Sequence, residues 1–176
     1  MKILPTEIAG VMRIELEPVA DVRGFFARAF CAETFRAHGL ADHFPHVNLS
    51  WNRSARTLRG LHYQDPPRAE DKLVRATRGR VYDVAVDLRP DSPSFRRWTA
   101  VELDAERRNA LYIPKGCAHG FLTLADDCEL LYMASAVYDA ALARTVRWDD
   151  PAFGIAWPAD PDIIMPRDAQ APDFRT

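Results

Sequence analysis

The stretch Tyr112-Ile113-Pro114-Lys115-Gly116-Cys117-Ala118-His119-Gly120-Phe121 reads as strand, turn and strand, with Pro114 and Gly116 punctuating two apolar runs. Its returning strand carries a histidine. Outward from it, apolar and polar residues alternate in short pieces. Met12, Ile14 and Leu16 face away from Arg13 and Glu15, while Tyr82, Val84, Val86 and Leu88 oppose Asp83 and Asp87. These read as half-buried strands. Further candidates lie near 24–30, 45–51, 57–63, 72–77, 97–103, 110–113, 119–125, 128–135 and 144–148, separated by turns at Gly79, Pro90-Asp91-Ser92-Pro93 and Asp126-Asp127. Many short strands at this spacing imply an all-β sandwich or barrel. The one convincing helix is short, about Ala32 to His38, with Phe35 on its apolar face and Gly39 as a left-handed stop. From Asp149 onward the chain is rich in proline and aspartate and is expected to wrap the body irregularly.

At 176 residues the chain has the length of one domain, so 1–176 is expected to form a single unit. With 48% hydrophobic and 27% charged residues, and no apolar run near the roughly 18 residues that span a bilayer, the chain belongs to neither the membrane-embedded nor the disordered class. Lys+Arg 23 against Asp+Glu 25 leaves a net charge of -2, so no global positive field draws it to nucleic acid or to an anionic membrane. Cys31, Cys117 and Cys128 are odd in number and lack a CxxC pair, which reads as reduced thiols rather than a disulfide framework or a zinc ribbon. The start MKILPTEIAG has no apolar core of the secretory kind, and a cytoplasmic location is expected.

A second stretch, Leu58-Arg59-Gly60-Leu61-His62-Tyr63-Gln64, also places a histidine on a strand. The two-residue period puts Gly60, His62 and Gln64 on one face and Arg59, Leu61 and Tyr63 on the other. A lone histidine in a strand is more often a core residue satisfied by a carbonyl than a reactive group, so its partners decide. Pro114-x-Gly116-x-x-His119 resembles the turn-and-histidine pattern of cupin-type barrels. A metal-binding cupin would add a second histidine and a glutamate to reach the three or four N/O ligands a transition metal needs. Here Gln64 stands where that second histidine would be and Lys72 follows nearby, a cation that repels a metal. No metal is expected.

A longer resemblance then covers nearly the whole chain. It runs through Arg23-Gly24-Phe25-Phe26, Leu58 to Gln64, Lys72-Leu73-Val74-Arg75, Gly79, Asp83 to Arg89, and Ser92-Pro93. It continues through Ile113 to Phe121, Leu131-Tyr132, Trp148-x-Asp150-Pro151, Gly154-Ile155-x-Trp157-Pro158 and Arg167-Asp168. In this order the residues resemble the dTDP-4-dehydrorhamnose 3,5-epimerase family. The resemblance implies a cupin-like double-stranded β-helix (jelly-roll) barrel with short peripheral helices. It also implies a cofactor-independent epimerase that inverts C-3, C-5 or both of a nucleotide-diphospho-4-keto-6-deoxy sugar, in deoxysugar and cell-surface polysaccharide biosynthesis.

That chemistry suits the residues. The protons flanking a ketone are acidic enough to be removed from one face and returned to the other without a redox cofactor. By the resemblance His62 is the base, Asp168 holds its imidazole, Tyr132 is the opposite-face acid and Lys72 stabilises the enolate oxygen. Arg23 and Arg59 would bind the diphosphate, since guanidinium forks match phosphate oxygens. His119 would donate from the pocket wall, and Phe26 and Tyr138 would stack on the nucleoside. Arg28, His46 and Asn48 fall among substrate-binding positions. The family has an acidic residue where this chain has Arg28, a glutamine at His46 and a lysine at Met133, so the family's reading of thymine is not expected here. The resemblance further implies a homodimer with Arg23 and Phe26 close to the other subunit, because the alternating 11–16 strand needs a sheet edge to pair with. Two alternatives stay open: a non-catalytic cupin-like sugar-nucleotide-binding module, and a metal-dependent cupin enzyme.

Overall fold

In a computed structural model that describes residues 1–175, the alternating pieces become β1 (Lys2–Pro5), β2 (Met12–Glu15), β3 (Val19–Asp21), β4 (Gly24–Phe26), β5 (His46–Asn52), β6 (Thr57–Gln64) and β7 (Lys72–Arg78). They continue as β8 (Arg80–Asp87), β9 (Trp98–Asp104), β10 (Ala110–Ile113), β11 (Cys117–Thr123), β12 (Cys128–Ala134), β13 (Ala143–Thr145) and β14 (Ile163–Ile164). The helices are α1 (Ala32–Ala37) and α2 (Pro166–Ala169). One sheet has the order β1-β2-β10-β7-β12-β5 and the other β13-β6-β11-β8-β9, with β14 added in parallel to β6. From β5 to β12 the chain crosses to the other sheet at every step except β8 to β9, which pair as antiparallel neighbours within the second sheet. This is the all-β, cupin-like jelly-roll barrel that the sequence implies.

Burial follows from four layers. Val74, Leu111, Ile113 and Leu130 of the first sheet meet Val81, Ala85, Leu103 and Phe121 of the second to form the inner core. The outer face of the first sheet, with Ile14, Leu73 and Tyr112, is covered by Phe30, Phe44 and Phe35 of α1. That short helix ends in a Schellman motif: Gly39 at φ +70 donates to the Arg36 carbonyl and Leu40 to that of Phe35. The outer face of the second sheet, with Leu61, Val84, Val86 and Ala118, lies beneath Val146, Phe153, Trp157 and Phe174 of the C-terminal segment.

Several expectations need correction. β8 is buried on both faces, not half-buried, because the C-terminal wrap covers the Val84 side while Asp83 and Asp87 point into the protein. Asp87 is spent on structure. Burial alone would push its carboxyl up, but hydrogen bonds from Arg89, Ser92 and Ser94 outweigh that and hold its pKa near about 2. β2 has no free edge: it is paired on one side by β1 and on the other by β10. The tail is not wholly irregular either. Pro166 takes the first turn of α2, where its missing N–H has no partner to lose, so a residue read as a breaker is a helix start.

Candidate active site

A cavity of about 700 Å³ lies between the two sheets. β6 and β11 line one wall, β5, β7 and β12 the other, and α2 closes it. Strict alternation would put Arg59 and His62 on opposite faces of β6, yet both line this cavity. The reason is a bulge. Arg59 pairs with Phe121 and His62 with His119, so three steps along β6 match two along β11 and the alternation changes phase at Gly60-Leu61. Gly60 has φ +117, and a Cβ there would lie 2.6 Å from Gly120 Cα and 2.7 Å from the His119 carbonyl oxygen. Only glycine fits. Leu61 is thereby turned outward into the apolar layer beneath the C-terminal segment.

The bulge also positions the base. His62 Nε2 is 2.8 Å from Asp168 Oδ1, and Asp168 Oδ2 accepts the Gly60 N–H at 3.2 Å. β14 brings the carboxylate there by pairing Ile163 with Thr57 and Ile164 with Leu58, just before the single turn of α2. Asp168 is 2% exposed. Burial pushes its carboxyl up, but the hydrogen bond and charge of His62, the Gly60 N–H and Arg167 together hold it below its ordinary value. An ionised acceptor on Nε2 fixes the tautomer: in the neutral ring Nε2–H donates to Asp168 and Nδ1 keeps its lone pair.

From the opposite sheet comes Tyr132, on β12. Burial, then the charge of Glu70, raise the pKa of its phenol against the opposing pull of Arg59, so it is held in the protonated, donating form. Lys72 opens β7 but is no solvated strand-end lysine. It is 7% exposed, donates from Nζ to the His62 carbonyl oxygen at 3.1 Å, and lies 3.2 Å from Glu70 Oε1. Arg59 is held by Asn52 Oδ1 at 2.7 Å and by the Trp51 carbonyl. His119 Nε2 lies 2.8 Å from Asp83 Oδ1, and Asp83 Oδ2 is buried without a hydrogen-bond partner among the described residues.

Of the residues singled out in the sequence, His62, Asp168, Tyr132, Lys72, His46, Asn48, Arg59, His119 and Tyr138 all line the cavity. Arg23, Phe26 and Arg28 do not. They belong to the β3–β4 hairpin and its exit, every residue of the hairpin strands is exposed, and among the described residues Arg23 pairs only with Asp21 beside it. Sequence reasoning missed Glu70 and Asp83. Glu70 precedes another acid in a polar connection and carries no pattern signal, while Asp83 looked like the wet side of a strand. Among the described residues no three His, Cys, Asp or Glu side chains converge as a metal site.

The profile of the dTDP-4-dehydrorhamnose 3,5-epimerase family matches residues 5–176. The chain is 39% identical over 175 residues to a Shigella flexneri dTDP-4-dehydrorhamnose 3,5-epimerase, spanning 99% of this chain and 96% of that one. It is 37% identical over 172 residues to a Streptomyces niveus dTDP-4-dehydrorhamnose 3-epimerase, 97% of this chain and 83% of that one. In three dimensions it is similar to the Legionella pneumophila dTDP-6-deoxy-D-glucose-3,5-epimerase crystallised with dTDP-4-keto-L-rhamnose. That likeness has a TM-score of 0.89 and 34% identity, and covers 99% of each chain.

Proposed function

The chain belongs to the dTDP-4-dehydrorhamnose 3,5-epimerase family, and from that membership we propose how its own residues carry out the inversion. It is an epimerase of deoxysugar biosynthesis, and its substrate is a nucleotide sugar. His62 Nδ1 takes the proton from the carbon beside the 4-ketone, and the electron pair of the broken C–H bond moves onto the ketone oxygen as an enolate. Asp168 stabilises the imidazolium that forms. Lys72 faces the enolate oxygen with a fixed positive charge. The Tyr132 hydroxyl then delivers a proton to the same carbon from the other side, and solvent restores both side chains.

The observation that carries this reading is that a carboxylate-held imidazole and a protonated phenol come from facing sheets across one cavity. A module that only bound the sugar would need neither. Arg59 takes the diphosphate from this chain, with His119 donating from the wall and Tyr138 stacking on the nucleoside. Residues 1–176 act as one cupin-like epimerase domain in the cytoplasm. No helix among the described residues is long and apolar enough to cross a membrane. Proton NMR of 4-keto-6-deoxy sugar nucleotides incubated with the protein in deuterated water tests the function: deuterium at C-3, C-5 or both is expected, and its absence from every candidate overturns it.

The remaining contacts require a second copy. The β3–β4 arm has Phe26 73% and Val22 104% exposed, and the edge strand β5 turns Val47, Leu49 and Trp51 to solvent while His46, Asn48 and Ser50 line the cavity. Apolar residues on a projecting arm and beside an open sheet edge fit a homodimer in which each arm brings Arg23, Phe26 and Arg28 to the partner's cavity. The edge involved is therefore β5 rather than β2. Mixing and refolding inactive Arg23→Ala and His62→Ala chains should recover about a quarter of wild-type turnover, since half the dimers would hold one intact site. No recovery, or a monomer at micromolar concentration, would overturn the shared site.

Arg28 on the arm is a donor-only group for a nucleobase to meet, and His46 at the cavity offers fewer donor and acceptor sites than a glutamine amide. Calorimetric titration is expected to give CDP or GDP an affinity at least equal to that of dTDP. A preference for dTDP by about tenfold, roughly 1.4 kcal/mol, would show that stacking alone decides.

A further inference from the structure

We propose that Glu70 is a positioning residue for the reaction, holding the Lys72 ammonium in the one orientation that serves the enolate oxygen. This rests on the role given above to Lys72. Glu70 lies in the connection between β6 and β7, and its placement is fixed by its neighbour: the Asp71 N–H donates to Ser135 Oγ, and the Asp71 carboxylate accepts from Ser135 and from the Tyr112 hydroxyl. The Glu70 side chain is 12% exposed and lines the cavity. One of its oxygens meets Lys72 Nζ at 3.2 Å and the other accepts from Gln64 Nε2 at 3.2 Å.

Gln64 is itself locked. It is buried, donates to the Arg68 carbonyl at 2.9 Å, and accepts the Asp139 N–H at 2.7 Å. Glu70 is thus the link between a rigid amide and an otherwise flexible four-carbon amine. An ammonium has three N–H donors. The His62 carbonyl takes one and Glu70 a second, both on the protein side, which leaves the third for the cavity. A cation aimed in advance at the site of developing charge acts on the transition state without reorganising, whereas a lysine free to rotate must first be ordered. The carboxylate also offsets the cost of taking that ammonium out of water.

The test is a double-mutant cycle read in steady-state kinetics. In the wild-type background Glu70→Ala should lower kcat by about tenfold or more with KM nearly unchanged, because enolate stabilisation exists only in the transition state. In a Lys72→Ala background the same change should lower kcat by less than about twofold, since Glu70 then has nothing left to position. Equal fold-losses in the two backgrounds would overturn the proposal, as would an effect confined to KM. Should Glu70→Ala fail to fold, Glu70→Met fills similar volume without accepting from Nζ and carries the same cycle. Wild-type exchange in deuterated water reports on the epimerase reading separately, so failure of one is distinguishable from failure of the other.

Discussion

His62→Ala is expected to abolish deuterium incorporation at every exchanging carbon and to lower turnover by roughly 10²–10⁴-fold, about 3–5 kcal/mol of barrier. Without the imidazole the Asp168 carboxylate that held it stays buried, and His119 on the same wall is engaged through Nε2 with Asp83. Tyr132→Phe should behave differently in kind. Removal of the proton and its return from the His62 side remain possible, so solvent exchange persists while inversion stops. Proton NMR of the substrate in deuterated water reads both quantities in one experiment. Equal loss of exchange in the two variants would refute the division of roles, and full activity in His62→Ala would refute the site. The pair also has a predictable pH range. The Asp168 carboxyl is held below its ordinary value of 3.8, so the stability it contributes is fully present above that value and is lost only as pH falls through its lower folded value.

The fold was legible because its signals are local. Alternation with period two, broken by Gly79, Gly116 and the Asp126-Asp127 turn, located the barrel strands within a few residues, since each such strand needs one consistently apolar face. β1, β3 and β14 escaped because two to four residues hold too little pattern, and β14 depends on β6 for pairing. In the site, the residues legible through the resemblance were those with unmistakable chemistry, such as His62 and Tyr132. Glu70 was not legible. Its importance comes from Gln64 and Lys72 folding to either side of it, a three-body arrangement that no spacing encodes. Nor could alternation predict that Arg59 and His62 share a wall, because the bulge depends on how close Gly120 of another strand approaches.

That approach makes Gly60→Ala the substitution with the largest expected effect on the fold. Two costs add at this position. An alanine at φ +117 is strained whatever the space around it, and its methyl carbon would meet backbone on both sides, 2.6 Å from Gly120 Cα and 2.7 Å from the His119 carbonyl oxygen. Neither neighbour is the end of a flexible side chain. β11 must therefore move away from β6 or the bulge must collapse, at a cost of about 3 kcal/mol or more. Gly154 separates the two contributions: it also has positive φ, +59, but a Cβ there meets nothing within 4 Å, so Gly154→Ala should cost only about 1 kcal/mol. Urea unfolding of both variants measures the difference. A fold surviving Gly60→Ala should still lose turnover, because the Gly60 N–H that anchors Asp168 and the phase that aims His62 both belong to the bulge. Wild-type stability in Gly60→Ala would mean that close packing of β6 on β11 does not set the bulge. The shared wall of Arg59 and His62 would then need another cause.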